Sequence, residues 1–155
     1  MVAVTFTSFL IVKFFHVFLA IIAVGVNASY GIWLTRASKE PDHELHVVRG
    51  IKFLDDRIAN PAYGGLLITG LLGVRFGGYS YSLFWIKTAI GLYIAMGLLA
   101  AFVYTPTLKK QVELLEAGSG GTAAYQSLSK RGRMVGGLLG VLVIAIVFLM
   151  VTKPT

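Results

Sequence analysis

Long stretches of apolar residues constrain the fold of this chain more than any other feature of its sequence. A helix needs about 20 mostly apolar residues to cross roughly 30 Å of hydrocarbon. Four stretches meet this requirement, at about 6–34, 58–76, 82–104 and 134–152. Only 14 % of the residues are charged, against about a quarter in soluble domains. We therefore predict an all-α, polytopic integral membrane protein in which residues 1–155 form a single membrane domain.

The segments between the apolar stretches predict how the spans are connected. After Pro41, apolar residues recur at helical spacing and continue into the second stretch. The third stretch likewise continues past Pro106, and the glycine-rich segment 117–122 separates it from the fourth. We expect an antiparallel bundle of four transmembrane helices whose ends extend into the cytoplasm. Pro61 is expected to bend the second helix.

Basic residues are concentrated in two connections, which predicts the orientation. Segments 35–60 and 105–133 hold most of the Lys and Arg residues and all seven acidic residues, whereas the connection at 75–82 contains only Arg75. An excess of Lys and Arg marks cytoplasmic loops. We therefore predict that the two long loops are cytoplasmic and that both termini lie outside. The basic charge reflects this topology, so the lipid bilayer is the predicted partner and nucleic acid is not.

Residues for several kinds of chemistry are missing from the sequence. The chain has no cysteine, which excludes disulfides, thiolate metal sites, iron–sulfur clusters and cysteine nucleophiles. It also lacks a hydrolase nucleophile motif, a phosphate-binding loop and paired carboxylates within the apolar stretches. No catalytic residue is assigned from the sequence.

Four ionisable residues lie within the apolar stretches or at their ends: Lys13, His16, Arg75 and Lys87. Ionisable groups in a membrane cost several kcal/mol unless they are paired or hydrated, so they indicate a functional site. Lys13 and His16 are three residues apart and share a helix face. Lys87 is predicted at a similar depth in the third span, and Arg75 at the end of the second. We expect these four residues to form a cofactor-binding cluster in the outer half of the membrane.

Two interpretations of this cluster remain open. In the first, the lysine and arginine side chains extend to the lipid headgroups, and His16 is a neutral imidazole bonded to a neighbouring helix. In the second, His16 binds a haem iron, which is the only metal role predicted for it, and the cations face the haem propionates or a quinone-like oxygen. The sixth iron position would then be open or filled by Met96, Lys87 or a tyrosine.

Two further histidines, His43 and His46, lie on the predicted cytoplasmic side. Their spacing of three residues is compatible with a metal, but two solvated histidines beside Glu44 are more typical of a polar helix end.

Segments 9–17, 56–61, 66–70 and 84–87 resemble the corresponding segments of the HemJ-type membrane proteins. Members of that family bind haem b and oxidise protoporphyrinogen, and they use a histidine in helix 1 and a lysine that follows a tryptophan in helix 3. The resemblance implies these roles for His16 and Lys87. The chain, including its ending at 150–154, is also similar to a family of predicted bacterial four-helix integral membrane proteins, which implies the bacterial inner membrane.

Three function classes follow, and the sequence leaves open whether the protein is an enzyme. The first is a protein that binds haem b or a quinone-like ligand for redox chemistry. The second is an accessory subunit of a larger respiratory or photosynthetic complex, or a homo-oligomer, in which glycine-rich helix faces contact partners. The third is a small transporter for an anion, which an inverted repeat would support; the sequence shows none.

Overall fold

The computed structural model describes residues 2–155, with side chains from residue 6 onward, and all its regular structure is helical. The elements are six α-helices and two π-helical segments. In chain order they are α1 (Val2–Ala37), α2 (Pro41–Leu54), a first π-helical segment (Asp55–Ala59), α3 (Asn60–Phe76), α4 (Phe84–Leu99), a second π-helical segment (Ala100–Tyr104), α5 (Thr105–Glu116) and α6 (Ala123–Thr152). The predicted all-α class is confirmed.

Each π-helical segment comes directly before an α-helix whose second residue is a proline. Pro61 lies in the first turn of α3 and Pro106 in the first turn of α5. A proline inside a helix removes one backbone N–H and its ring clashes with the carbonyl four residues earlier. The wider π-helical turn accommodates both effects. The chain therefore continues as helix through both prolines, from α2 into α3 and from α4 into α5.

The helices pack mainly as two pairs in the middle of the protein. There α1 packs against α3 and α4 packs against α6. At one end, which we call the α2–α5 end, α2 contacts α1 and α5, and α5 contacts α6. The opposite end, which we call the loop end, contains the connection 77–83 between α3 and α4.

The hydrophobic core is concentrated at the α2–α5 end. Its buried members are Tyr30, Val48, Ile51, Tyr104 and Leu108. Polar contacts tie the same elements together, because Arg49 forms an ion pair with Glu116 at 2.7 Å and the Tyr125 hydroxyl donates to Glu44 at 2.6 Å. The middle of the bundle has a smaller core, so the pairing of α1 with α3 and of α4 with α6 leaves space between the pairs.

Three helical stretches are long and apolar enough to cross a membrane: Phe6–Ala37, Phe84–Glu116 and Ala123–Thr152. They contain the predicted spans 6–34 and 134–152 and all but the first two residues of the predicted span 82–104. Many of their large apolar side chains are exposed on the outside of the protein, including Phe14, Ile144 and Val151, as expected where lipid replaces water. The predicted second span, 58–76, corresponds to α3, which has 17 residues and is about 25 Å long at 1.5 Å per residue.

Candidate functional site

A cavity of about 870 Å³ lies between the two helix pairs, and α1, α3, α4 and α6 all contribute to its lining. Most of the lining side chains are apolar. The polar and aromatic ones are Lys13, His16, Tyr63, Thr69, Tyr79, Trp85, Tyr93 and Lys153. Ligand cavities typically have volumes of about 300–1,000 Å³, mostly apolar walls and a few convergent polar groups. This cavity is the candidate functional site.

His16 is held by α3 through a hydrogen bond that defines its tautomer. The Thr69 hydroxyl donates its single proton to the backbone carbonyl of Gly65, with 2.7 Å between the oxygen atoms. The Leu66 carbonyl, 3.3 Å away, is a second acceptor for the same proton. The Thr69 oxygen therefore accepts from His16 Nδ1, which lies 2.9 Å away. This places the imidazole proton on Nδ1 and leaves the lone pair on Nε2.

Gly70 lets the His16 ring approach α3 closely. A β-carbon at position 70 would lie 3.2 Å from His16 Cε1, which is closer than side chains normally pack. Because the ring is confined between Thr69 and Gly70, its position depends on both residues. The predicted alternative for His16, a neutral imidazole bonded to a neighbouring helix, agrees with this contact, and the same contact suits a ligating imidazole.

Two lysines line the cavity, and only one of them was expected. Lys13 lies on α1 one turn from His16. The other is Lys153, which follows α6 and has a left-handed backbone with φ 46°. Its ammonium donates to the Tyr79 hydroxyl at 3.3 Å and lies 5.2 Å from the Tyr79 ring centroid and 5.7 Å from that of Trp85. These cation–π contacts hold the ammonium at the loop end of the cavity.

The other two cations of the predicted cluster point elsewhere. Neither Lys87 nor Arg75 is among the described residues that line the cavity. On α4 the neighbouring residues Trp85 and Ile86 are buried and turned toward the cavity. The structure thus brings Lys13 and His16 together with Lys153, and the predicted binding roles of Lys87 and Arg75 remain predictions.

Candidate partners for a metal bound at His16 also lie in the lining. Met96 is buried, and Tyr93 donates a hydrogen bond from its hydroxyl to the backbone carbonyl of Tyr63. Within the described part of the chain, no group of three or more His, Cys, Asp or Glu side chains could hold a metal ion. His43 and His46 are exposed on α2, at the opposite end of the bundle from Lys153.

A family model for predicted integral membrane proteins, DUF2269, matches residues 10–154. The chain belongs to this family. The match includes both lysines of the cavity and all of the helices except the start of α1, so the DUF2269 assignment applies to the bundle. Neither the comparison with curated proteins nor the comparison with solved structures gives a match. The similarity to an integral membrane family is confirmed, and the similarity to HemJ-type proteins stays a prediction.

A polar residue that the sequence did not single out is buried at the other end of this DUF2269 protein. Asp55, in the first π-helical segment, is only 5 % exposed. Tyr30, on α1, is 3 % exposed, and its hydroxyl has no hydrogen-bond partner among the described residues. Both were missed because Asp55 stands in a charged segment that resembles a solvated loop, and because a single tyrosine in an apolar stretch carries no distinctive signal.

Proposed function

We propose that this protein spans the membrane four times and binds haem b, or a quinone-like ligand, in the cavity between its helix pairs for redox chemistry. The central support is the His16–Thr69 contact, which leaves the Nε2 lone pair of an intramembrane histidine available. A metal-binding histidine typically donates its other ring N–H to a second residue in this way.

In the proposed topology, α3 also crosses the membrane, in addition to the three long apolar stretches. Although α3 alone is about 25 Å long, the end of the first π-helical segment precedes it without a break, so the predicted span 58–76 is a continuous helix of about 28 Å. The basic residues around α2 and α5 favour a cytoplasmic position for the α2–α5 end. The loop end, both termini and the cavity opening near Lys153 then lie in the outer half of a bacterial inner membrane.

The residues of the cavity fit haem b in three respects. His16 Nε2 offers one axial nitrogen, and the apolar walls suit a macrocycle. The ammonium groups of Lys13 and Lys153, both on exposed residues, offer positive charge to the two propionates, and charge-assisted hydrogen bonds are stronger than neutral ones. Haem would supply a one-electron redox centre. Met96 and Tyr93 also line the cavity and would be the residues able to offer a second ligand.

The charged residues of the cavity lining support a negatively charged ligand. Among its described lining residues, two are lysines and none is acidic. An uncompensated cation in a membrane is costly, so an anionic or strongly electron-rich ligand stabilises this arrangement. A quinone oxygen would take one of the same hydrogen bonds but would leave the second ammonium without an anion.

The experiment is an absorption spectrum of the protein purified from its native membrane in mild detergent. We expect a Soret band in the wild-type protein, its loss in His16→Ala, and its retention in His43→Ala, which removes an exposed histidine far from the cavity. A wild-type protein without a chromophore that also extracts no quinone would refute the proposal. Co-purification of a stoichiometric partner protein in that case would support the accessory-subunit alternative.

A further inference from the structure

The strongest unexplained feature outside the cavity is the carboxyl group of Asp55. It is buried in the first π-helical segment, and its one described hydrogen bond, from the Asn60 side-chain amide, is long at 3.4 Å. Lys52, one turn earlier on the same helix, forms its ion pair with Asp56. A buried carboxylate without a dedicated cation or several hydrogen bonds is strongly disfavoured.

Three tyrosines from other parts of the bundle act on this carboxyl group at longer range, without a hydrogen bond to it among the described contacts. Tyr30 on α1, Tyr104 in the second π-helical segment and Tyr63 on α3 all lie within electrostatic range of Asp55. Tyr30 and Tyr104 belong to one buried cluster. The Tyr30 hydroxyl, which has no partner among the described residues, supplies a polar group that a carboxylic acid can use as donor or acceptor.

We propose that Asp55, with the hydroxyl groups of Tyr30 and Tyr104, forms a proton-binding site inside the bundle near the α2–α5 end. The site holds a proton in the resting protein and exchanges it with the aqueous phase at that end. A neutral carboxylic acid needs no cation, and its O–H can bond to a tyrosine oxygen or to a buried water. This site is separate from the cavity and does not depend on the ligand proposed there.

The charges around the site act in the direction that this proposal requires. Burial raises the pKa of Asp55, and the adjacent negative charge of Asp56 raises it further, while Lys52 and the Asn60 hydrogen bond lower it. Burial is the largest of these effects. Tyr63 also lines the cavity, so the charge state of Asp55 changes the electrostatic potential at the cavity wall.

The chain allows a direct test because it contains only three aspartates, Asp42, Asp55 and Asp56. In protein labelled with ¹³C at the aspartate carboxyl carbon, each gives one resonance that moves when the group ionises. Asp42→Asn and Asp56→Asn each remove one resonance, so Asp55 is assigned even if Asp55→Asn does not fold. Because the charge of Asp56 acts on Asp55, the Asp55 midpoint is read from the wild-type protein and from Asp42→Asn.

We expect the Asp55 resonance to titrate well above the value of about 3.9 found for model aspartates and to be insensitive to sodium and potassium. Titration of Asp55 near the model value would overturn the proposal. A midpoint that falls when sodium or potassium is added would overturn it in favour of a metal-cation site.

Discussion

The contact between His16 and Thr69 predicts a measurable loss of stability when the threonine is replaced by valine. Valine keeps the size and the branched shape of threonine but removes the hydroxyl that accepts from His16 Nδ1. The ring nitrogen then stays in a partly buried position without its partner. A hydrogen bond contributes about 0.5–1.5 kcal/mol to stability, and an unsatisfied buried group costs about 1–3 kcal/mol.

The chain contains a closely matched control for this change. Thr35 also donates from its hydroxyl to the carbonyl four residues earlier, Gly31, and the distance is 2.7 Å, the same as from Thr69 to Gly65. Thr35 is exposed and contacts no histidine in the described structure. Thr35→Val therefore removes the same intrahelical bond, and the difference between the variants isolates the contact with His16.

We expect Thr69→Val to lower the free energy of unfolding by about 1–2 kcal/mol more than Thr35→Val does. The assay is unfolding in mixed detergent micelles, followed by tryptophan fluorescence. If haem b binds at His16, its dissociation constant should also rise about 10–100-fold in Thr69→Val, the usual effect of losing a residue that orients a metal ligand. Equal stability and equal haem affinity in the two variants would refute this account of the site.

Three other changes test separate parts of the structure. Gly70→Ala should displace the imidazole and weaken ligand binding, whereas Gly64→Ala, where a β-carbon meets nothing within 4 Å, should leave binding unchanged in the same titration. Lys153→Gln should weaken binding of a dianionic porphyrin about tenfold, and Lys87→Gln, which alters an exposed lysine outside the cavity lining, serves as its comparison. Because the pKa of Asp55 is raised in the folded protein, the free energy of unfolding should fall as pH rises above about 4, by up to about 1.4 kcal/mol per pH unit until the folded carboxyl group ionises. Unfolding curves of Asp55→Asn should lack this slope, and a slope unchanged from wild type would show that other groups cause it.

The helical class and the positions of the long apolar helices could be predicted because they depend on local sequence. Apolar stretches of sufficient length indicate helices directly, and the prolines indicate where the α-helical pattern is interrupted. The sequence predicts a bend at Pro61, but it does not show that a π-helical turn lets the chain continue as helix past this proline.

Which residues line the site depends on how each helix is rotated about its own axis, and the sequence does not give this rotation. The prediction for Lys87 used only its depth along the span. Successive residues of a helix point in directions about 100° apart, and helix packing turns Trp85 and Ile86 toward the cavity. Lys153 was overlooked because it follows the last apolar stretch, and its direction depends on a left-handed residue at the end of α6. Asp55 is buried because the first π-helical segment packs against α1, a contact that the sequence does not show.

The most direct test of the proposed function is a titration of the purified protein, free of endogenous ligand, with haem b. Wild-type protein should bind one haem per chain with a saturable shift of the Soret band, and His16→Ala should lose this binding while His43→Ala keeps it. Absence of saturable binding, or equal binding by wild type and His16→Ala, would contradict a cofactor site at His16.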